Sequence, residues 1–178
     1  MATDEEIHWY ALKVFFNRVS FIEHEFKSAG YETYYAKKAV ECHKEGALFY
    51  VYKPLVASLL FVRCTSAYLM KYKQARDDFF MYYNKVGTNQ PEAVPDNEMK
   101  QFILVTSVLD TGLEYLGSDA PQYHIGDRVR VINGIYKGTE GIIKRIKKDR
   151  RLIVTVSGVA VLATSFIHPS FLQKIGQE

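Results

Sequence analysis

Cysteine is scarce: among 178 residues there are two, Cys42 and Cys64, at a spacing that pairs with nothing. Together with five scattered histidines they make no zinc-ligand pattern, and so low a count fits a reducing compartment, the cytosol. Cys64 closes an apolar run and reads as a small buried hydrophobe. No apolar run approaches the roughly twenty residues that span a bilayer, so no membrane partner is expected. The opening MATDEEIHWY is acidic and has no basic flank before an apolar core, so no signal peptide is expected. Also missing are a Gly-rich phosphate loop, a Gly-x-Ser-x-Gly elbow and a nucleophile–base pair. Cys42 and His43 are neighbours on an extended segment and therefore point to opposite faces. Glu23 and Glu25 diverge by roughly 200° around a helix of about 3.6 residues per turn. These absences predict a protein that is not an enzyme and has neither cofactor nor metal.

What is present is an uneven distribution of charge. The formal net charge of +3 divides into −3 over residues 1–122 and +6 over residues 123–178. That asymmetry points to an anionic partner for the C-terminal part, with a solvated basic face as the plainer alternative. Within the basic part, Ile125–Val156 carries three strand-like segments, Arg128–Ile132, Gly141–Lys147 and Leu152–Val156. Val129 and Val131 alternate with Arg128 and Arg130, and Leu152, Val154 and Val156 share a face opposite Ile153 and Thr155. Gly134, Gly138 and Gly141 are spaced for sharp reversal and close passage of strands. Val159–Ala163 supplies a further strand, and His168–Leu172 reads as a closing turn whose Phe171 plugs a small barrel.

The first 116 residues read as an α+β domain with an antiparallel sheet flanked by helices. His8–Phe15 is a β-rich opening. Ser20-Phe21-Ile22-Glu23 has the capping-box form and predicts a helix burying Ile22, Phe26 and Ala29, stopped by Gly30. Tyr31–Val40 and Leu48–Tyr52 read as strands joined by the polar 41–46 segment. Leu55–Arg63 is almost wholly apolar before its arginine and needs cover on both faces. Ser66 caps a second helix reaching about Arg76, Phe79–Val86 is an aromatic strand, and Pro95-Asp96 starts a third helix with Met99, Phe102, Ile103 and Thr106 inward. Gly117-Ser118-Asp119-Ala120-Pro121 is the best linker, so the expected organisation is 1–116, a linker at 117–122, and 123–178.

Gly-Asp before a Val-x-Val strand, followed by Gly134, Tyr136, Lys137-Gly138 and Gly141, resembles a KOW motif, the mark of a small SH3-like β-barrel. Adding Trp9-Tyr10, the capped helix, Lys53-Pro54-Leu55 and the Pro95-Asp96-Asn97-Glu98 helix start, nearly the whole chain resembles a NusG-like factor. It is most similar to the specialised antiterminator paralogues of the UpxY type, which act on particular operons such as those for surface polysaccharides. The resemblance implies an NGN-like domain that binds the clamp helices of bacterial RNA polymerase, bridges the DNA cleft and suppresses pausing or termination. It implies a KOW barrel that recruits Rho, the ribosome or another protein.

Carried onto this chain, the resemblance makes Val56, Leu59 and Phe61 the polymerase-binding residues. The family's Phe-Pro-Gly-Tyr falls on Val56-Ala57-Ser58-Leu59, which loses the first aromatic while Leu59 and Phe61 keep an apolar surface on one strand face. Lys13 and Arg18 are the candidates for contact with upstream or non-template DNA. Lys144, Lys147 and Lys148, with Arg145, Arg150 and Arg151, form a basic hairpin for nascent RNA or an acidic protein, or simply a solvated tip. Tyr136 and Lys137 are the barrel's partner-binding candidates, although Thr139 stands where the family carries a second aromatic. The glycines and the alternating strands favour a constitutive barrel over a helical hairpin. The alternative function is a KOW-type RNA-binding or ribosome-associated protein.

Overall fold

Strand β1, Ile7–Val14, buries both its faces: Tyr10, Leu12 and Val14 on one, Trp9 and Ala11 on the other. Such a strand belongs in the middle of a covered sheet, which is where a computed structural model of the protein places it. The structure describes residues 6–82, 90–118, 122 and 125–176. The chain divides into two compact units, Met1–Ala36 with Val56–Asp96, and Lys37–Leu55 with Asn97–Glu178.

In the first unit β1 is followed by helix α1 (Val19–Ser28) and strand β2 (Glu32–Tyr34). Strands β3 (Lys37–Lys44) and β4 (Ala47–Pro54) belong to the second unit. The first then resumes with β5 (Leu59–Thr65), α2 (Ser66–Gln74), β6 (Phe79–Met81) and β7 (Ala93–Val94). The sheet is antiparallel in the order β2-β5-β1-β6, with β7 also on β1. Tyr10, Leu12 and Val14 of β1 and Leu60, Val62 and Cys64 of β5 form one core with Ile22 and Phe26 of α1 and Leu69 of α2. Burial pushes the Cys64 thiol up to about 12, which leaves it inert at neutral pH.

The first helix departs from its expected start. It opens at Val19, with Arg18 in the cap position and no side-chain cap bond, so Ser20 lies inside the helix. Phe16 and Asn17 both take positive φ, 55° and 56°, and this turn delivers the chain into the helix two residues early, where Val19 is buried. Glu23, freed from a capping role, accepts instead from Lys27 and Thr33. Gly30 does take the left-handed conformation after the helix, at φ 86°, but Ala29 is exposed and Val19 occupies the third buried position. For α2 the cap is Thr65 rather than Ser66, its hydroxyl accepting from the Tyr68 amide at 3.2 Å. The aromatic strand is described only as Phe79–Met81; residues 83–89 lie outside the described residues.

The second unit starts with β3 and β4 as a two-stranded ribbon whose turn is only Glu45-Gly46, at φ 51° and 80°, instead of the longer connection expected at 41–46. Helix α3 is Asp96–Thr106, burying Met99, Phe102, Val105 and Thr106, with Ile103 only half-buried. Then come β8 (Glu114–Gly117), β9 (Asp127–Val131), β10 (Glu140–Ile146), β11 (Asp149–Val156), β12 (Ala160–Phe166) and β13 (Leu172–Lys174). These six strands pair in the order β13-β9-β10-β11-β12-β8. Residues 114–117, expected before or within the linker, thus complete the barrel sheet by pairing with Val161–Ala163. Leu152, Val154 and Val156 fill one side of β11, while Ile153 joins Val161, Ala163, Leu116, Ile142 and Ile146 on the other. Phe171 does not plug the barrel; it is half-buried over Gly134, in the short 3₁₀ turn Pro169–Phe171.

Candidate functional site

Strand register decides what the apolar segment before Arg63 presents. Leu59 lies opposite Lys13, Phe61 opposite Ala11 and Arg63 opposite Trp9, so these six side chains share one face of the first sheet. Leu59 and Phe61 are buried there, at 5% and 0% exposure. Val56 precedes the strand in a turn closed by the Leu59 amide on its carbonyl at 3.1 Å, and it is half-buried. Lys13 is exposed, with its ammonium 5.7 Å from the centre of the Phe80 ring on β6.

Arg18 stands beside the fixed ion network that closes this end of the unit. Its guanidinium lies 4.6 Å from the Phe21 ring centre, and its Nε is 3.3 Å from Asp78 Oδ2. Asp78 is buried and is gripped by Arg76 through Nε at 3.0 Å and Nη2 at 2.6 Å. Those hydrogen bonds hold the Asp78 carboxyl below the usual carboxylate range against the opposing effect of burial, and they raise Arg76 in turn. Arg76 also reaches Glu25 at 3.0 Å, and Glu25 accepts from the Tyr72 hydroxyl. Burial, and then that hydrogen bond, push the Tyr72 phenol up.

In the second unit the loop from Asn133 to Thr139 folds back on β9: the Gly138 amide reaches the Val131 carbonyl at 2.8 Å and the Val131 amide reaches that of Thr139 at 2.9 Å. This places Tyr136 inward, at 4% exposure, where its hydroxyl donates to Asp110. Asp110 also accepts from the amides of Ser165 at 2.9 Å and Gly112 at 2.7 Å. Burial, and then the hydrogen bond to Asp110, push the Tyr136 phenol up. Lys137 is exposed beside it. Thr139 is buried, and its hydroxyl finds no partner among the described residues. An open groove of about 250 Å³ runs past Tyr136, lined by Val131, Ile135, Phe166, Ile167 and Phe171. Asp110→Ala strips an acceptor from a phenol and two amides, and is expected to lower the stability of this unit by about 3 kcal/mol. Tyr136→Phe should cost less, because Asp110 keeps both amides. Urea melts of the two variants check the order.

Across the basic hairpin, like charges stand directly opposite: Lys144 against Arg151, and Arg145 against Arg150. Arg151 is accounted for, since its guanidinium donates to Glu114 at 2.8 Å, to the Gly112 carbonyl at 2.6 Å and to the Thr164 carbonyl. Lys144 is half-buried. Lys147, at φ 58°, and Lys148 form the exposed turn, flanked by exposed Arg145 and Arg150. The five candidate residues of the first unit, Lys13, Arg18, Val56, Leu59 and Phe61, and the barrel's basic tip therefore fall in separate units.

Two features were missed from sequence. Asp110 is one; its turn with Gly112 carried a local signal, but its partnership with Tyr136 spans 26 residues. The other is a set of exposed rings, Phe15, Phe16 and Phe80, which only the fold assembles. Among the described residues no group of His, Cys, Asp and Glu is placed to hold a metal ion, and no helix is long and apolar enough to cross a membrane.

Comparison with known proteins adds to this geometry. Residues 7–103 match the family model for the transcription termination factor nusG, and residues 125–157 match the KOW motif. No curated protein sequence gives a match to the chain. A solved structure concerned with domain interaction in Thermotoga maritima NusG is 18% identical, with a TM-score of 0.46, over 98% of this chain and 100% of that one. The first match alone takes in more than half of the residues, with the KOW motif on the strands β9 to β11 beyond it, and the chain belongs to the NusG family of transcription factors.

Proposed function

We propose that the protein is a cytoplasmic elongation and antitermination factor that binds the clamp helices of RNA polymerase. In this reading residues 1–116 dock on the polymerase and residues 123–178 recruit a further partner through Tyr136, Lys137 and the adjoining groove. Lys13 and Arg18 touch upstream or non-template DNA, and Lys144, Lys147 and Lys148 touch nascent RNA. Suppression of pausing then comes from binding energy that favours the closed clamp, with no catalysis, cofactor or metal. Action on particular operons, in the manner of the UpxY paralogues, belongs to the same proposal.

What supports it is the family match over residues 7–103, which spans the strand carrying Leu59 and Phe61. Of the three proposed contacts, Val56 is the one partly exposed as the unit stands, so docking through Leu59 and Phe61 requires their face to open. The test is capture of cognate polymerase by the full chain and by Val56→Asp. Loss of capture of at least tenfold, with an unchanged circular dichroism spectrum, is expected for the variant; equal capture removes Val56 from the interface. A second reading, an RNA-binding KOW protein, is favoured by the Arg145–Arg150 pair, because a like-charged pair is relieved by a polyanion. Retention of RNA with a steep salt dependence, and no capture of polymerase, would select it.

A further inference from the structure

The ribbon of β3 and β4 has one guarded edge and one bare edge. Lys37, Glu41, His43 and Lys44 of β3 are all exposed, and charge at this density is how natural sheets keep an edge from pairing. β4 runs from Ala47 to Tyr52 with no charge and no proline, and its Leu48, Phe49, Tyr50 and Tyr52 are 41–62% exposed. The ribbon pairs with no third strand among the described residues, and two strands alone are marginal in water. An edge so apolar and so exposed is a template for a further strand.

The tight turn fixes which backbone groups face that edge. Glu45 and Gly46, at φ 51° and 80°, make a two-residue reversal, so the flanking Lys44 and Ala47 exchange hydrogen bonds. Bonded pairs then recur at every second position, Cys42 with Phe49, Val40 with Val51 and Lys38 with Lys53. Leu48, Tyr50 and Tyr52 lie between them and turn their amides and carbonyls outward. Among the described residues no backbone bond from another element reaches these amides. Pro54 is the next outward position and has no amide to give, so the open edge ends there.

We infer that β4 pairs antiparallel with β4 of a second copy, centred on Tyr50, and joins the two ribbons into one sheet. In that register Tyr50 meets its own copy and Leu48 meets Tyr52, so every outward amide finds a carbonyl. Phe49 falls beside Val51, which extends the row of Val40 and Val51 into Phe49 and Cys42 of the other chain. Lys53 faces Ala47, so the pairing sets no like charges opposite one another. Centring on Leu48 or on Tyr52 instead leaves Tyr52 or Leu48 with no strand opposite. The edge fits its own copy better than a polyanion, because no cation lies between Ala47 and Tyr52 to hold a phosphate. The assembly closes at two chains, since both β4 edges are then used and the edges left over are the charged β3 strands.

Such a contact covers an edge and little else, and interfaces below about 1,200 Å² are commonly transient. Sedimentation equilibrium of the full chain from about 1 to about 500 µM should therefore show the mass rising from one chain toward two. A chain that stays single throughout leaves β4 to a strand of another protein and overturns the second copy as its occupant. Growth beyond two chains overturns the closure. Over the same range, amide exchange should slow at Leu48, Tyr50 and Tyr52, whereas Phe49 and Val51 are protected already in the single chain. Association that leaves those three amides unchanged overturns β4 as the interface. Tyr50→Pro removes an amide that β3 does not use, and Phe49 before it is extended, as a following proline requires, so the ribbon keeps its ladder. It is expected to weaken the dimer at least about tenfold relative to Tyr50→Ala, which shortens the side chain and keeps the amide. Equal association by the two variants overturns pairing through the backbone.

Discussion

Phe61→Asp is expected to unfold the first unit, beyond removing a binding surface from it. Phe61 is fully buried at the centre of β5, opposite Ala11 on one side and Tyr34 on the other. Truncating a buried phenylalanine costs about 3–5 kcal/mol, and an aspartate there must also be desolvated or protonated. The sum exceeds about 5 kcal/mol, a large part of the roughly 5–15 kcal/mol that holds a domain together. In a thermal melt followed by near-ultraviolet circular dichroism, the transition of this unit should vanish. Val56→Asp should keep it, because a half-buried turn residue can move its carboxylate to water. A native melt for Phe61→Asp would mean that this face of β5 is a free surface, and that polymerase can reach Phe61 without any opening.

The same residues show how far sequence reading carries. The unbroken apolar run ending at Arg63 required cover on both faces, and Leu59 through Val62 are indeed all buried. Whether such a strand is interface or core is a separate question, because period-two patterning reports burial and not what does the burying. Four of the six barrel strands, β9 to β12, were legible, since Val129/Val131 and Leu152/Val154/Val156 alternate and the glycines mark the reversals, whereas β8 and β13 were not. Helix α3 was legible at Pro95-Asp96, where a proline precedes the first turn.

What escaped was set by tertiary geometry. Ser20 and Glu23 have the spacing of a capping box, but the left-handed Phe16-Asn17 pair sets the helix start, and Glu23 turns to Lys27 and Thr33. Tyr136 stood out only as a candidate for binding a partner of the barrel; its hydroxyl and Asp110 find each other only once β9 and β12 are in place. The exposed rings of Phe15 and Phe80 are 65 positions apart and meet because β6 pairs with β1. Each miss depends on a contact that no local pattern encodes.

Gly141→Val is expected to prevent folding of the barrel. Gly141 faces Val129 of β9 across the ladder and leads into the Ile142–Ile153 pair with β11. A Cβ built at position 141 would stand 2.3 Å from the Ile153 carbonyl oxygen and 3.1 Å from Leu152 Cγ. The first of these atoms is backbone, fixed by pairing to β10 on one side and to β12 on the other, so it cannot rotate away. Ordinary overpacking costs about 1–3 kcal/mol because side chains yield, and here the obstacle is the sheet itself. The position requires glycine for space, in contrast to Gly138, which has nothing within 4 Å of an added Cβ and is held to glycine only by its φ of 90°. Gly138→Ala should therefore cost about 1–2 kcal/mol and leave the barrel folded. In amide exchange, Gly141→Val should lose protection across β9 to β12 while Gly138→Ala keeps it. Loss of the barrel would also scatter Lys144, Lys147 and Lys148 and release Tyr136 from Asp110. The variant thus removes both proposed barrel contacts together while the first unit keeps its sheet. Native protection in Gly141→Val would show that β11 can shift at Ile153, at the point where its register with β12 is already irregular.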